Sequence, residues 1–282
     1  MILQILDSSF FVSPAHGRVR SSTGTHRLIM RTLVVAVLFA SSGAIAMATD
    51  EARQTEFQLL ERKFQQAQTQ SDFIEVATAY ESLKGPATSS ASVLFNQANA
   101  WLKAEEFGRA IAGYRQAIKL QPADTGIRSN LKLAFRKANH AMPQSRILDY
   151  AFFWNHWFTR STLAMLITLL VVAAAVLFVF NRSSPLCRTG FRILAALAVV
   201  LIASFVLKVK DENFTVHGVV IADSSDAKKG PAASYESAYS NALTDGQELT
   251  VIDQQQDWLH VEVSGIGSGW LPKSDVVLYS SF

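Results

Sequence analysis

Charge is scarce in this sequence, and so is cysteine. Of 282 residues only 17% are Asp, Glu, Lys or Arg, while 49% are hydrophobic; soluble domains carry roughly a quarter charged residues. The deficit points to membrane segments and excludes long intrinsic disorder. The length suits about two small domains beside such segments. A single cysteine, Cys187, excludes a disulfide scaffold. The histidines, His16, His26, His140, His156, His217 and His260, are scattered, and no pair has metal-ligand spacing. A phosphate loop, a G-x-S-x-G elbow and a Rossmann glycine fingerprint are all missing. The expectation is therefore a non-enzyme with no catalytic residues, no metal site and no cofactor.

What charge there is lies unevenly. Residues 1–48 carry +3, residues 49–148 carry +3, residues 149–210 carry +5, and residues 211–282 carry −8. The acidic carboxyl end makes nucleic acid a poor partner.

Near the amino end, Arg31 is followed by an apolar run from Leu33 to Ala40 and by Ala46-Met47-Ala48. Basic region, hydrophobic region and A-x-A site, in that order, define a secretory signal peptide over 30–48. An uncleaved anchor is the alternative, and in either case the following segment is exported. Residues 1–29 lack hydrophobic periodicity and read as an upstream extension.

Over 49–142 the apolar residues fall at helical spacing. Leu94, Ala98, Trp101 and Leu102 stripe one run. Phe107, Ala110, Ile111, Tyr114, Ala117, Ile118 and Leu120 stripe the next, which stops at Pro122. Small Ala98, Ala110 and Ala117 allow two antiparallel helices to approach, and the aromatics fill the remaining space. The run Leu94, Ala98, Trp101, Phe107, Ala110, Tyr114, Ala117, Pro122 resembles a tetratricopeptide repeat, a helix–turn–helix unit of 34 residues. Phe64, Ala67, Phe73, Val76 and Tyr80 fit a shortened repeat upstream, and Leu131 and Phe135 fit a first helix downstream. The resemblance implies a groove for an extended peptide or partner protein, lined here by Phe95, Asn99, Leu102 and Asn130. Two amides at Asn99 and Asn130 offer donors and acceptors to a peptide backbone; the blander alternative is that they only solvate the groove. Phe95 stands where some repeat proteins place a carboxylate-gripping lysine.

After an aromatic connector over 143–160, rich in Phe152, Phe153, Trp154, Trp157 and Phe158 and suited to a membrane interface, Ser161–Phe180 is free of charge. It is long enough to cross a bilayer. The second run, Ile193–Leu207, reaches a spanning length over 191–209 if Arg192 and Lys208 snorkel. Residues 181–190, with Arg182 and Arg188, form the expected cytoplasmic loop. Together with Arg192 they suit anionic lipid. Because the repeats are exported, two crossings return the carboxyl end to the same side.

Over 213–280 the pattern turns to period two. Val216, Val219 and Ile221 open a strand, Leu249, Val251 and Ile252 follow Asp245-Gly246, then come Trp258-Leu259 and Gly269-Trp270-Leu271-Pro272. Short strands at about ten-residue spacing indicate a small all-β barrel, and these motifs resemble a bacterial SH3-like domain. Trp258 and Trp270 are its candidate surface or core aromatics. The tyrosines of a proline-binding groove are absent.

The fold expected is thus multi-domain: all-α tetratricopeptide hairpins, a two-helix transmembrane hairpin and a small all-β SH3-like barrel. That order of parts, with Gly108-Arg109-Ala110-Ile111 and Asn130-Leu131, is similar to the BatE-type proteins of bacterial aerotolerance operons. The resemblance implies an inner-membrane scaffold with both soluble domains periplasmic. It also implies action beside MoxR-type ATPases and von Willebrand A-domain membrane proteins in envelope stress. The alternative function is a cell-wall sensor whose SH3-like domain binds peptidoglycan.

Overall fold

A computed structural model describes residues 53–83, 90–143, 152–179 and 185–279 of the chain. The upstream extension, the signal peptide at 30–48 and residues 181–184 of the expected loop lie outside them. Thr55–Phe282 form one compact unit.

Five helices come first: α1 (residues 53–66), α2 (Gln70–Ala79), α3 (Ala91–Lys103), α4 (Phe107–Leu120) and α5 (Thr125–Lys137). Their starts are written in the sequence. Thr69 and Asp72 close a capping box on α2, Ser90 caps α3 through Val93 N, and Asp124 caps α5 through Ile127 N. Each such cap satisfies a backbone donor that a helix leaves orphaned. Glu105, at φ 62, turns the chain between α3 and α4.

The predicted stripes meet, except that Leu120, at the last turn of α4, stays exposed. Leu94, Ala98, Ala110, Tyr114 and Ala117 share a core with Ile127, Leu131 and Phe135, and Trp101 and Phe107 pack against it. Pro122 is buried just beyond α4. The closest crossing of α3 and α4 is at Gly113, where a Cβ would lie 2.9 Å from that of Ala98. A second cluster joins Leu60, Val76, Ala77, Tyr80, Val93 and Ala100, so α1 and α2 stack on the same array.

Two apolar helices follow, each long enough to cross a membrane: α6 (Arg160–Val179) and α7 (Pro185–Phe214). They differ from expectation at α7, which is 30 residues long. Pro185 suits a first helical position because its missing N–H is one of the orphans, so residues 185–190 join the helix and not the loop. At the other end the helix continues through Lys208, Lys210 and Phe214, past the end expected at 209, because charged residues outside an apolar stretch are compatible with helix. The two helices run antiparallel, with Phe178 beside Phe191 near one end and Trp154 bonded to Ser204 near the other, so the helical array and the sheet attach at the same end of the pair.

Thr215 alone separates α7 from a five-stranded antiparallel sheet: β1 (Val216–Val220), β2 (Glu248–Gln255), β3 (Trp258–Val263), β4 (Gly267–Pro272) and β5 (Val276–Leu278). The strand order is β4-β3-β2-β1-β5. This corrects the expected barrel, because the sheet does not close on itself. Its outer strands are engaged otherwise. The backbone of Trp270 on β4 exchanges hydrogen bonds with Lys228 of the long β1–β2 connection, at 2.7 and 2.8 Å. Val277 on β5 packs against the helical core. Leu249, Val251, Leu259, Val261 and Leu271 alternate into the sheet's own core, as period two requires.

Candidate binding groove and interdomain contact

The asparagines expected to line a groove do come together. Asn99 Oδ1 accepts hydrogen bonds from the Tyr114 hydroxyl at 2.7 Å and from Asn130 Nδ2 at 2.8 Å. Burial pushes the Tyr114 hydroxyl far above its usual pKa, so it stays a donor. With its oxygen filled from two sides, the Asn99 amide is oriented, and its Nδ2 is the end left to donate outward. Phe95 packs against Tyr114, with ring centroids 6.0 Å apart. Leu102 departs from expectation, for it turns inward and joins the core.

Asn99 also lines a recess of about 130 Å³, with Glu61, Phe64, Gln65, Tyr80 and Asn96. Sequence reasoning placed Tyr80 in the repeat pattern but missed its polar end. The Tyr80 hydroxyl is buried beside the Asn96 side chain without reaching hydrogen-bonding geometry. Desolvation raises its pKa, with the nearby Glu61 adding in the same direction. A buried hydroxyl left unpaired costs on the order of 1–3 kcal/mol. An acceptor entering the recess would relieve that cost. Amides, a hydroxyl and one carboxylate make the recess suited to a polar, uncharged or cationic segment; Glu61 opposes a carboxylate.

Helix α4 also meets the sheet and the turn before β2, in contacts that the sequence did not announce. Helix α4 starts with Glu106 at its N-cap position, and that side chain makes no capping bond. The cap comes from the sheet: the Asp245 carboxylate accepts the N–H of Phe107 at 2.8 Å and of Gly108 at 2.9 Å. A side-chain cap of this kind is worth about 1 kcal/mol through the two backbone donors it satisfies. Burial raises the Asp245 pKa, the two N–H bonds oppose that shift, and nearby Glu106 and Asp223 reinforce it. Beside it Gly246 takes φ +87, a left-handed value that favours glycine, and a Cβ there would stand 2.7 Å from that of Ala138. His140 Nε2 lies 3.0 Å from the Asp245 carbonyl oxygen.

Further along α4, Arg115 reaches Glu248 through two parallel bonds of 2.7 and 2.9 Å. The Tyr279 hydroxyl donates to the same carboxylate at 3.2 Å. Burial works against the Arg115 charge, but Glu248 outweighs it and holds the guanidinium above its usual pKa. Lys119 donates to the Tyr279 carbonyl oxygen at 3.1 Å. Val219 of β1 belongs to the same apolar core as α4 and α5. At Gly108 any Cβ would run into the Val220 carbonyl oxygen, so this glycine is what admits the strand.

The two sheet tryptophans occupy different settings. Trp270 is buried and stacked on His260, with centroids 4.8 Å apart. Trp258 starts β3 half-buried, opposite Pro272. The contact with α4 involves neither ring. Among the described residues no group of His, Cys, Asp and Glu is placed to hold a metal ion. Comparison with protein-family models, with curated proteins and with solved structures gives no match.

Proposed function

We propose that the chain is a non-enzymatic scaffold of a bacterial inner membrane. In this reading its tetratricopeptide-type groove holds an extended segment of a partner protein, and its SH3-like domain braces the repeat array from behind. The observation that carries the reading is the recess beside Asn99. There an amide fixed by Tyr114 and Asn130 lines a small polar recess with Asn96, Gln65 and Glu61, groups whose chemistry suits a peptide backbone.

The helical pairs with their small-residue crossing support tetratricopeptide-type repeats. The strand order and the 3₁₀ turn Lys273–Asp275 between β4 and β5 support an SH3-like topology. Helices α6 and α7 are read as membrane spans, with both soluble parts in the periplasm. The resemblance to BatE-type proteins suggests a von Willebrand A-domain membrane protein as the partner, acting with a MoxR-type ATPase in envelope stress.

A photocrosslinking residue at position 96 of the full chain, in native membranes of a bacterium carrying such an operon, tests this. Capture of a von Willebrand A-domain protein that falls at least tenfold with Tyr80→Phe and Asn99→Ala together is the expected result. Capture that ignores those changes would remove the groove from the mechanism.

A further inference from the structure

The aromatic segment before α6 is not a passive linker. Phe153–His156 form a 3₁₀ turn, and its Trp154 points back to the helix pair, where its indole N–H donates to Ser204 Oγ on α7 at 3.0 Å. Ser204, fully buried, donates in turn to Asn155 Oδ1 at 2.8 Å. One turn of α7 further on, the Lys208 ammonium donates to the carbonyl oxygens of Asn155 at 2.9 Å and Phe158 at 2.6 Å. Phe152 and Phe153 pack edge-on against the Trp154 ring, at 5.5 and 5.3 Å.

The segment is thus clipped to α7, and its remaining aromatic surface points outward. Phe153 is 61% exposed and Trp157 65% exposed. Apolar side chains are exposed along α6 and α7 as well, Leu169 at 64% and Val199 at 65%.

Distances along α7 identify what covers it. From Lys208 back to Arg188 is 20 residues, about 30 Å at 1.5 Å per residue, which is the thickness of a bilayer's hydrocarbon core; Arg192, one turn inside Arg188, reaches the same surface by snorkelling. Helix α6 has 20 residues as well. If Arg188 stands at one membrane surface, Lys208 stands at the other, level with the 3₁₀ turn. Aromatic rings at that level favour the boundary between headgroups and acyl chains.

We propose that residues 152–158 are a third membrane-contacting element, a collar clipped to α7 by Ser204 and Lys208. Its Phe153 and Trp157 enter the headgroup boundary of the phospholipid bilayer. The collar fixes how deep the helix pair sits. It assigns Lys208 a structural task, binding carbonyls at the surface. The proposal rests on the membrane-spanning reading of α6 and α7.

The test uses the full chain with Cys187→Ser, carrying a single spin-labelled cysteine, in vesicles of phosphatidylethanolamine and phosphatidylglycerol. Collisions with oxygen, which concentrates in lipid, are compared with collisions with a water-soluble nickel complex. Labels at Phe153→Cys and Trp157→Cys should favour oxygen several-fold over a label at Met142→Cys on the repeat domain, yet less than one at Val199→Cys in mid-helix. Adding Ser204→Ala with Lys208→Met should move positions 153 and 157 toward the value at 142 while leaving 199 unchanged. Water-like values at 153 and 157 with a lipid-like 199 would overturn the collar alone. A label at 153 or 157 that meets neither collider is covered by protein, and this also overturns it. Water-like exposure at 199 would overturn the spanning reading and the collar with it.

Discussion

Tyr114 and Arg115 are consecutive on α4 and serve different partners, Tyr114 binding Asn99 of the groove and Arg115 binding Glu248 of the sheet. One helix therefore carries both the orientation of the groove amide and the bond that holds the sheet domain in place.

Replacing Glu248 by Gln leaves Arg115 charged and buried without its counter-ion. Breaking one side of such a pair costs about 3–5 kcal/mol when burial is complete. Here the side chains retain 25% and 11% exposure, so roughly 2–3 kcal/mol is expected. Thermal unfolding in detergent should split from one transition into two as the sheet domain separates from the repeats. Arg115→Met with Glu248→Met should recover most of the loss; equal damage in the double variant would show that the pair is not the cause.

Gly108→Ala reverses a familiar sign. Inside a helix, Ala is more favourable than Gly by about 1 kcal/mol. At this position the added methyl meets the Val220 carbonyl oxygen, so the sheet must move away. Amide hydrogen exchange should quicken in β1 and at Phe107, while the interior of α4 stays protected. Unchanged exchange in β1 would contradict the close approach.

The Asp245 carboxyl gives a pH dependence whose sign follows from burial. Its pKa is raised where it is docked, so the docked state favours the protonated form. The stability this group contributes is fully present below the undocked aspartate pKa and is lost as pH rises through the docked one. Glu106 and Asp223 push the same way, the N–H groups of Phe107 and Gly108 push back, and His140 lies beside the backbone of the same residue. Melting temperature measured against pH, for the native chain and for Asp245→Asn, should show the native chain gaining on the variant as pH falls through that window. A native chain that loses ground there would refute the assignment.

Gly113→Leu tests the helix crossing. Even a Cβ stands 2.9 Å from Ala98, and overpacking of this kind costs about 1–3 kcal/mol or more. Denaturant unfolding should show that loss, together with weakened capture at the groove, because Asn99 lies next to Ala98. An unaltered midpoint would mean that α3 and α4 are not pressed together there.

Much of the helical part is legible because periodicity is local. Ala98 and Tyr114 fall at helical spacing and meet in one core, and the caps at Thr69, Ser90 and Asp124, local as well, went unread. Gly113 escaped notice because a glycine in mid-helix reads as a weakness until the opposing side chain is known. The end of α7 was misjudged for a related reason: hydropathy marks where the apolar stretch stops, and Lys208 and Lys210 end that stretch without ending the helix. Asp245 appears in the sequence only as part of a turn before a strand, and Glu248 carries no signal at all. Their partners lie 138 and 133 residues away, and no spacing rule connects them. Tyr80 and Asn96 were missed as a site because the recess needs α1 laid against α3.

Because α7 leads into β1 through a single residue and the sheet returns to α4, the chain closes a ring through the helix pair. Biogenesis must respect that ring. If α6 and α7 span a bilayer as proposed, failure of one helix to insert would strand Asp245 and Glu248 across it from Phe107 and Arg115. Helix α4 would then keep a bare amino end and an unneutralised guanidinium. On the proposed spanning reading, the docking contact is thus completed only when both helices cross, which ties the fold of α4 to the topology of the pair.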